Sequence, residues 1–243
     1  MQALRPGLQC KQAWTAIDQL DSALERRLDY AFSPQLGYLT ACPTNVGTGM
    51  RVSAMLHLPG LVLAEQINQI IQSVNKLGLA VRGLYGEGTE ALGNVFQVSN
   101  QMTLGEPEMT LVERLDKVVL QIIENEENAR GLLLEKKPKM IYNHIGRSYG
   151  ILANAHSVSS KEAMNLLSLM RLGIDLGLFP GSDRSLTDEL FIVIQPHHLQ
   201  RQHSGKLSGD ERDVIRAEML RGRLKSVSRP TPRPPPAEKP ATE

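Results

Sequence analysis

Two stretches decide the fold: Gly37-Tyr-Leu-Thr-Ala-Cys-Pro-Thr-Asn-Val-Gly-Thr-Gly-Met-Arg51 and Val81-Arg-Gly-Leu-Tyr-Gly-Glu-Gly-Thr-Glu90. Each combines a strand-like run, a polar loop with glycines and an arginine. From Arg51 to Leu58 the apolar period is two. Val52, Ala54, Leu56 and Leu58 face a core, while Arg51, Ser53, Met55 and His57 face the other way. An arginine on the outward side at the start of a strand reaches into a cleft without breaking the core pattern. In the second stretch Arg82 stands five residues before Glu87, and Gly86, Gly88 and Gly93 give the intervening loop freedom to close. Read alone, such patterns also describe plain turns with solvated charges.

Outward from these stretches, Trp14, Ile17, Leu20, Leu24 and Leu28 recur at helical spacing and predict an amphipathic helix over residues 11–30. Pro59-Gly60 ends the first strand, and Val62, Ile67, Ile70, Ile71 and Val74 predict one helix over 61–77. Further strands are expected over 79–85 and 94–98, with a turn near Asn100 and a long helix over about 110–135. The expected class is α+β, an antiparallel sheet flanked by helices. Lys136 to Lys139 is a basic break containing a proline, which divides a first unit (1–138) from a helical region (139–225). In that region Ala163, Leu166, Leu167, Met170, Ile174 and Leu178 mark a helix over 161–178, and another is expected from Gly209 to Lys225. The tail 226–243, with Arg229-Pro-Thr-Pro-Arg-Pro-Pro-Pro236, cannot build a core and is expected to be disordered.

Composition excludes several classes. Apolar residues make up 41% and charged residues 22%, with a net charge of +1, so no overall field draws nucleic acid or an anionic membrane. No apolar run reaches the length of a membrane span, and the N-terminus shows no signal-peptide pattern. The two cysteines, Cys10 and Cys42, support neither a disulfide scaffold nor a cysteine zinc site, and the six histidines show no zinc-ligand spacing. A reducing, cytoplasmic location is expected.

Cys42-Pro-Thr-Asn-Val-Gly-Thr48 leading to Arg51, then Arg82-Gly-Leu-Tyr-Gly-Glu-Gly-Thr-Glu90, then Val98-Ser-Asn-Gln101, together resemble the phosphagen (guanidino) kinases. Tyr85 and the glycine after Glu87 resemble the bacterial protein-arginine kinases within that family. The resemblance runs from residue 1 to about 225. It implies the family's catalytic domain, a glutamine-synthetase-like fold, and ATP-dependent phosphorylation of protein arginines that marks proteins for degradation. It implies ATP with Mg²⁺ and no dedicated protein cage for the metal. As partners it implies protein substrates with exposed arginines, a zinc-binding activator and a Clp-type protease, and it admits a homodimer.

The resemblance also assigns roles. Arg51, Val52, Ser53, Ala54 and Met55, with Arg82, Gly83, Leu84, Tyr85, Gly86 and Glu87, match the segments that hold the nucleotide. Planar guanidinium forks suit phosphate oxygens, which is why Arg51 and Arg82 are the expected clamps. Glu87 holds the position of the carboxylate that aims the acceptor guanidinium and takes its proton. Cys42 holds that of a reactive thiolate beside the acceptor; without the family, a lone cysteine after a strand reads as inert. Arg212-Asp-Val-Ile-Arg-Ala217 fits a regulatory phosphoarginine-binding signature, with Asp213, Val214 and Ile215 between two arginines at i and i+4.

Met1-Gln-Ala-Leu-Arg-Pro-Gly-Leu8 aligns just after the family's N-E-E-D-H-L-R segment, which carries a second carboxylate and a further arginine. Neither that segment nor an S-x-R-x-R motif is in this sequence. A sheet edge is therefore expected to lie uncovered, and loss of grouped catalytic residues costs orders of magnitude in rate. Two alternatives follow: a catalytically impaired module that binds phosphoarginine through Arg212 and Arg216, and a small-molecule guanidino kinase.

Overall fold

The computed structural model describes residues 1–83 and 91–232. Packing divides the chain into two units, Met1–Gly131 and Leu132–Glu243. The first has the expected α+β character. Its three-stranded sheet has the order β3–β5–β4, with β3 (Ser53–His57) and β4 (Leu79–Gly83) both antiparallel to the central β5 (Val95–Asn100). Among the described residues β3 and β4 are the outer strands of that sheet. A two-stranded hairpin, β1 (Phe32–Ser33) with β2 (Gly37–Tyr38), precedes it.

The period-two reading of residues 51–58 is what the sheet displays. Ala54 and Leu56 pack on the core with Phe96, Val98, Leu79 and Val81, whereas Arg51, Ser53 and Met55 are exposed. Behind the core face lie α1 (Cys10–Glu25), α2 (Pro59–Leu63), α3 (Ile67–Lys76) and α4 (Glu108–Lys136), which contribute Cys10, Leu61, Ile71, Val74, Leu115, Val119 and Ile122 to one cluster. Trp14 Nε1 donates to Glu108 Oε2 at 2.6 Å and ties α1 to the first turn of α4.

Two helices differ from expectation. The segment 61–77 is broken: Glu65 adopts φ +60°, Glu65 N and Gln66 N close back on the carbonyls of Val62 and Leu61, and α3 starts afresh at Ile67. No glycine announces that left-handed residue, so the apolar stripe reads continuously through it. The first helix stops at Glu25 rather than near residue 30, and Leu20 and Leu28 lie about half exposed, outside the apolar stripe assigned to them.

The turn from β3 into α2 depends on a carboxylate. Glu126 of α4 is buried and accepts from Gly60 N and Leu61 N, both at 2.8 Å, so it caps a helix start that has no cap of its own. Arg130 Nε donates to the same carboxylate at 2.6 Å and balances its charge. A Cβ on Gly60 would stand 2.9 Å from both Glu126 Oε1 and Arg130 Cγ, so glycine is required for the approach.

The second unit is helical: α5 (Pro138–Asn154), α6 (Ser160–Asp175), α7 (Arg184–Val193), α8 (Pro196–Arg201) and α9 (Gly209–Leu224). All lie within or at the edge of the expected helical region 139–225, though α5, α7 and α8 carry no expected bounds of their own. The basic, proline-containing stretch does mark a break: α4 ends at Lys136, Lys137 is non-helical, and Pro138 is the first residue of α5, where a missing N–H costs nothing. Helix α5 packs on α6 and α9, and Ile141, Ile145, Leu167, Met170, Leu190 and Leu220 are fully buried. Ser208 and Glu211 form a reciprocal capping box that fixes where α9 begins. The expected disorder from residue 226 does not hold over 226–232, because Tyr149 Oη donates to Val227 O and Thr231 N donates to Leu178 O. The rest of the tail lies outside the described residues. No helix of the described residues is long and apolar enough to cross a membrane.

Removing Glu126 strands two buried amides and takes an ion-pair partner from Arg130. Glu126→Ala is expected to lower the unfolding free energy by about 3–5 kcal/mol, as loss of one partner of a buried ion pair does. Urea denaturation measures this, and a loss under about 1 kcal/mol would be in the range of a surface pair and would contradict the capping role.

Candidate active site

The loop that follows β2 is held by close backbone contacts. Tyr38 N donates to Gly47 O at 2.8 Å, Gly47 N to Tyr38 O at 3.2 Å, and Thr48 N to Thr103 O at 3.1 Å. Gly47 adopts φ +110°, and a Cβ there would lie 2.4 Å from Thr103 O, so this crossing of three chain segments admits only glycine. Thr103 is buried; its hydroxyl bonds Val46 O at 2.7 Å and reaches Thr44 O at 3.3 Å. Within this frame Pro43–Asn45 form a short 3₁₀ turn capped by Cys42, whose carbonyl accepts from Asn45 N and from Thr40 Oγ1.

Cys42 is exposed at the head of that turn, and its Sγ lies 3.0 Å from Thr44 Oγ1. The Thr44 hydroxyl and then the Thr44 backbone N–H hold the thiol pKa below its ordinary value, and the nearby Arg51 cation adds to this. Cys10 is the opposite case, since burial and the neighbouring Asp116 push its thiol up to about 11. One cysteine is thus poised and one inert.

Arg51 leaves the same frame on the outward side of β3. Its guanidinium is exposed and makes a long bond to Asn45 Oδ1 at 3.3 Å, which leaves most of its fork open. Arg82 is exposed on β4, in register with Gln97 of β5, which in turn lies opposite Met55 of β3. Alternation puts Ser53, Met55, Gln97, Ser99, Ala80 and Arg82 on one face of the sheet, and Arg51, two residues before β3, continues the outward parity of Ser53. Between the two arginines lie the small Ser53, Ser99 and Ala80, with Gln97 beside Arg82. Strand geometry separates the two Cα positions by roughly 16 Å (four residues along and two strands across). Gln97 Nε2 donates to Ser53 Oγ at 3.0 Å and props this floor.

Val52 and Ala54 point to the core rather than to this face, so within 51–55 their contribution is to place the strand. Gly83 ends β4. Leu84, Tyr85, Gly86 and Glu87 lie outside the described residues, so the carboxylate assigned to proton transfer has no geometry to report. Among the described residues no group of three or more His, Cys, Asp or Glu side chains could hold a metal ion.

Sequence reasoning passed over Asn45, Asn100 and Thr103 as functional positions. Asn100 gave a signal: it has the inward parity of Phe96 and Val98, and a polar residue at a core position needs partners. Thr103 gave none.

In the second unit the pair Arg212 and Arg216 does not offer two equivalent forks. Arg216 is 1% exposed, its Nε donates to Ile194 O at 2.9 Å, and its Nη1 donates to Val158 O at 2.8 Å and to Asp213. Arg212 is half-buried and gives one N–H to Leu207 O at 2.9 Å. The expectation of two arginines open to an anion on one helix face is corrected: burial commits Arg216 to backbone carbonyls. Val214 is exposed, and Ala217 is buried beneath the helix.

Since the Thr44 hydroxyl favours the Cys42 thiolate, Thr44→Val is expected to move the pH midpoint of iodoacetamide alkylation upward and to slow the reaction at neutral pH. Cys10 is expected to stay unmodified in the native chain. A midpoint unchanged by the substitution would rule out the threonine as the activating group.

Residues 1–129 match the family model described as ATP:guanido phosphotransferase, C-terminal catalytic domain. Residues 138–235 match that described as protein-arginine kinase McsB C-terminal domain. A protein-arginine kinase of Bacillus licheniformis is 52% identical over 225 residues, covering 93% of this chain and 62% of that protein. One of Bacillus subtilis is 50% identical over 224 residues, covering 92% and 62%. The chain therefore spans somewhat under two thirds of the length of these curated relatives. A solved lombricine kinase is 31% identical, with a TM-score of 0.42 and coverage of 48% of this chain and 33% of its own. The Cys42 loop, the strand that bears Arg51 and the strand that bears Arg82 all fall inside the first match, and the chain belongs to the ATP:guanido phosphotransferase family.

Proposed function

We propose that this chain grips ATP and orients the acceptor in an enzyme that phosphorylates arginine side chains of proteins. The observation that carries the reading is the pair of exposed arginines, Arg51 and Arg82, at opposite corners of a sheet face whose small residues Ser99 and Ala80 are buried between them. Two guanidinium forks there bind phosphate oxygens bidentately and take up charge that develops on the transferred group. Mg²⁺ enters with the nucleotide, held by its phosphates, and offsets their charge.

The acceptor guanidinium has a pKa above about 12 and is a poor nucleophile while protonated. In the proposed step an acceptor nitrogen attacks the γ-phosphorus, a new N–P bond forms, the bond to the ADP oxygen breaks, and the nitrogen gives up a proton. Glu87 is the proposed base, from its position in the family motif. Cys42 as a thiolate sits at the edge of the same loop as Arg51 and steadies the acceptor cation by charge. The names of the relatives, together with Glu87-Gly88 and the helical second unit, support protein arginine over a small guanidino compound as acceptor.

By the same likeness, labelled proteins would be passed to degradation, with a zinc-binding activator and a Clp-type protease as partners. The segment 212–217 would sense phosphoarginine. Arg212 is the residue with fork capacity to spend there, while Arg216 braces the helix against the carbonyls of Val158 and Ile194.

The test is transfer of label from γ-labelled ATP to casein, read as acid-labile N–P phosphate. Wild-type chain is expected to label casein, and Glu87→Ala to lower the rate by about 10²–10⁴-fold, as removal of a general base does. Arg82→Ala is expected to weaken MgADP binding in calorimetry. Acid-stable label only, or an Arg82→Ala chain that binds MgADP like wild type, would contradict the proposal.

A further inference from the structure

The fork of Arg51 is useful only if its backbone is held still, and nothing in the side chain itself ensures that. Arginine loses much rotamer freedom when fixed, so a strand end that frays would spend binding energy on ordering. Arg51 lies just outside the β3 ladder, where fraying is expected.

The clamp comes from the neighbouring strand. Asn100, 1% exposed at the end of β5, accepts from Val52 N through Oδ1 at 2.9 Å. Its Nδ2 donates to Met50 O and to Met102 O, both at 3.1 Å, and its own N–H donates to Val52 O at 3.3 Å. The side-chain amide thus seizes the backbone on both sides of Arg51 and leaves the arginine between them as the unheld residue. Asn100 itself is buried and the three bonds are partly so, which favours keeping each of these backbone groups paired. Asn45 Oδ1 completes the geometry by steering the guanidinium from the Cys42 loop.

We infer that Asn100 is a positioning residue for nucleotide binding, which holds the peptides on either side of Arg51 so that the guanidinium meets phosphate already aimed. The inference rests on the reading of Arg51 as a phosphate clamp.

Asn100→Asp isolates the donor half of the amide. The carboxylate still accepts from Val52 N, but its second oxygen now faces the carbonyls of Met50 and Met102 and repels them. MgADP affinity of the 243-residue chain is measured by calorimetry for wild type, Asn100→Asp, Arg51→Ala and the double variant, with thermal melts of all four. The expected result is a loss of about five- to tenfold for Asn100→Asp in the wild-type background, the range of one or two hydrogen bonds. In the Arg51→Ala background the same change is expected to cost less than about twofold, because there is no longer a fork to aim. A merely structural asparagine would lower the melting temperature equally in both backgrounds and weaken MgADP equally in both. That additive outcome overturns the inference while leaving the phosphate-clamp reading intact. A wild-type chain that binds no MgADP, or an Arg51→Ala chain that binds it unchanged, overturns both. Should Asn100→Asp fail to fold, Asn100→Ser removes the two-carbonyl grip at smaller cost and is read in the same cycle.

Discussion

A buried side-chain amide at the end of a central strand decides whether the candidate site exists as a site. Asn100 bonds Met50, Val52 and Met102 at once, and so joins β5, the entry to β3 and the segment that leads to α4. Three residues beyond Asn100, the Thr103 hydroxyl and carbonyl hold Val46 and Thr48 of the Cys42 loop. One short stretch after β5 therefore fixes both the thiol and the guanidinium. Apolar packing could not supply this, since loop carbonyls brought out of water need named donors.

The sheet obtains its other anchor at the far end of β3. There Glu126 and Arg130 bring charge into a buried turn, at a desolvation cost that only complete pairing offsets. Gly60 makes the approach sterically feasible. Between Asn100 at one end and Glu126 at the other, β3 is held without an outer neighbour among the described residues.

Arginine serves two ends in this chain, and burial separates them. Arg51 and Arg82 stand on an exposed face with fork capacity to spare, which suits a ligand that comes and goes. Arg216 is enclosed, and its N–H groups are given to carbonyls of two other segments and to Asp213. The i, i+4 spacing with Arg212 is the same in either case, because helical periodicity fixes which side of α9 a residue lies on and says nothing of what is packed there.

Local pattern determined much of this protein. Period-two alternation over 51–58 places Arg51 and Met55 outward and Ala54 and Leu56 inward, because strand geometry is a property of the chain itself. The motif pair around Cys42 and Arg82 points to the family, since phosphate binding and a glycine crossing restrict residue types tightly. Tertiary structure decided the rest. The break at Glu65 arises in a residue with no intrinsic leaning to positive φ. Asn100, Thr103 and Glu126 each bond backbone groups some 48 to 66 residues away along the chain. A hydrogen bond at that separation leaves no periodic trace. It is made only when the fold has brought the two segments together, and on that depends which arginine is aimed at a ligand and which is spent on the fold.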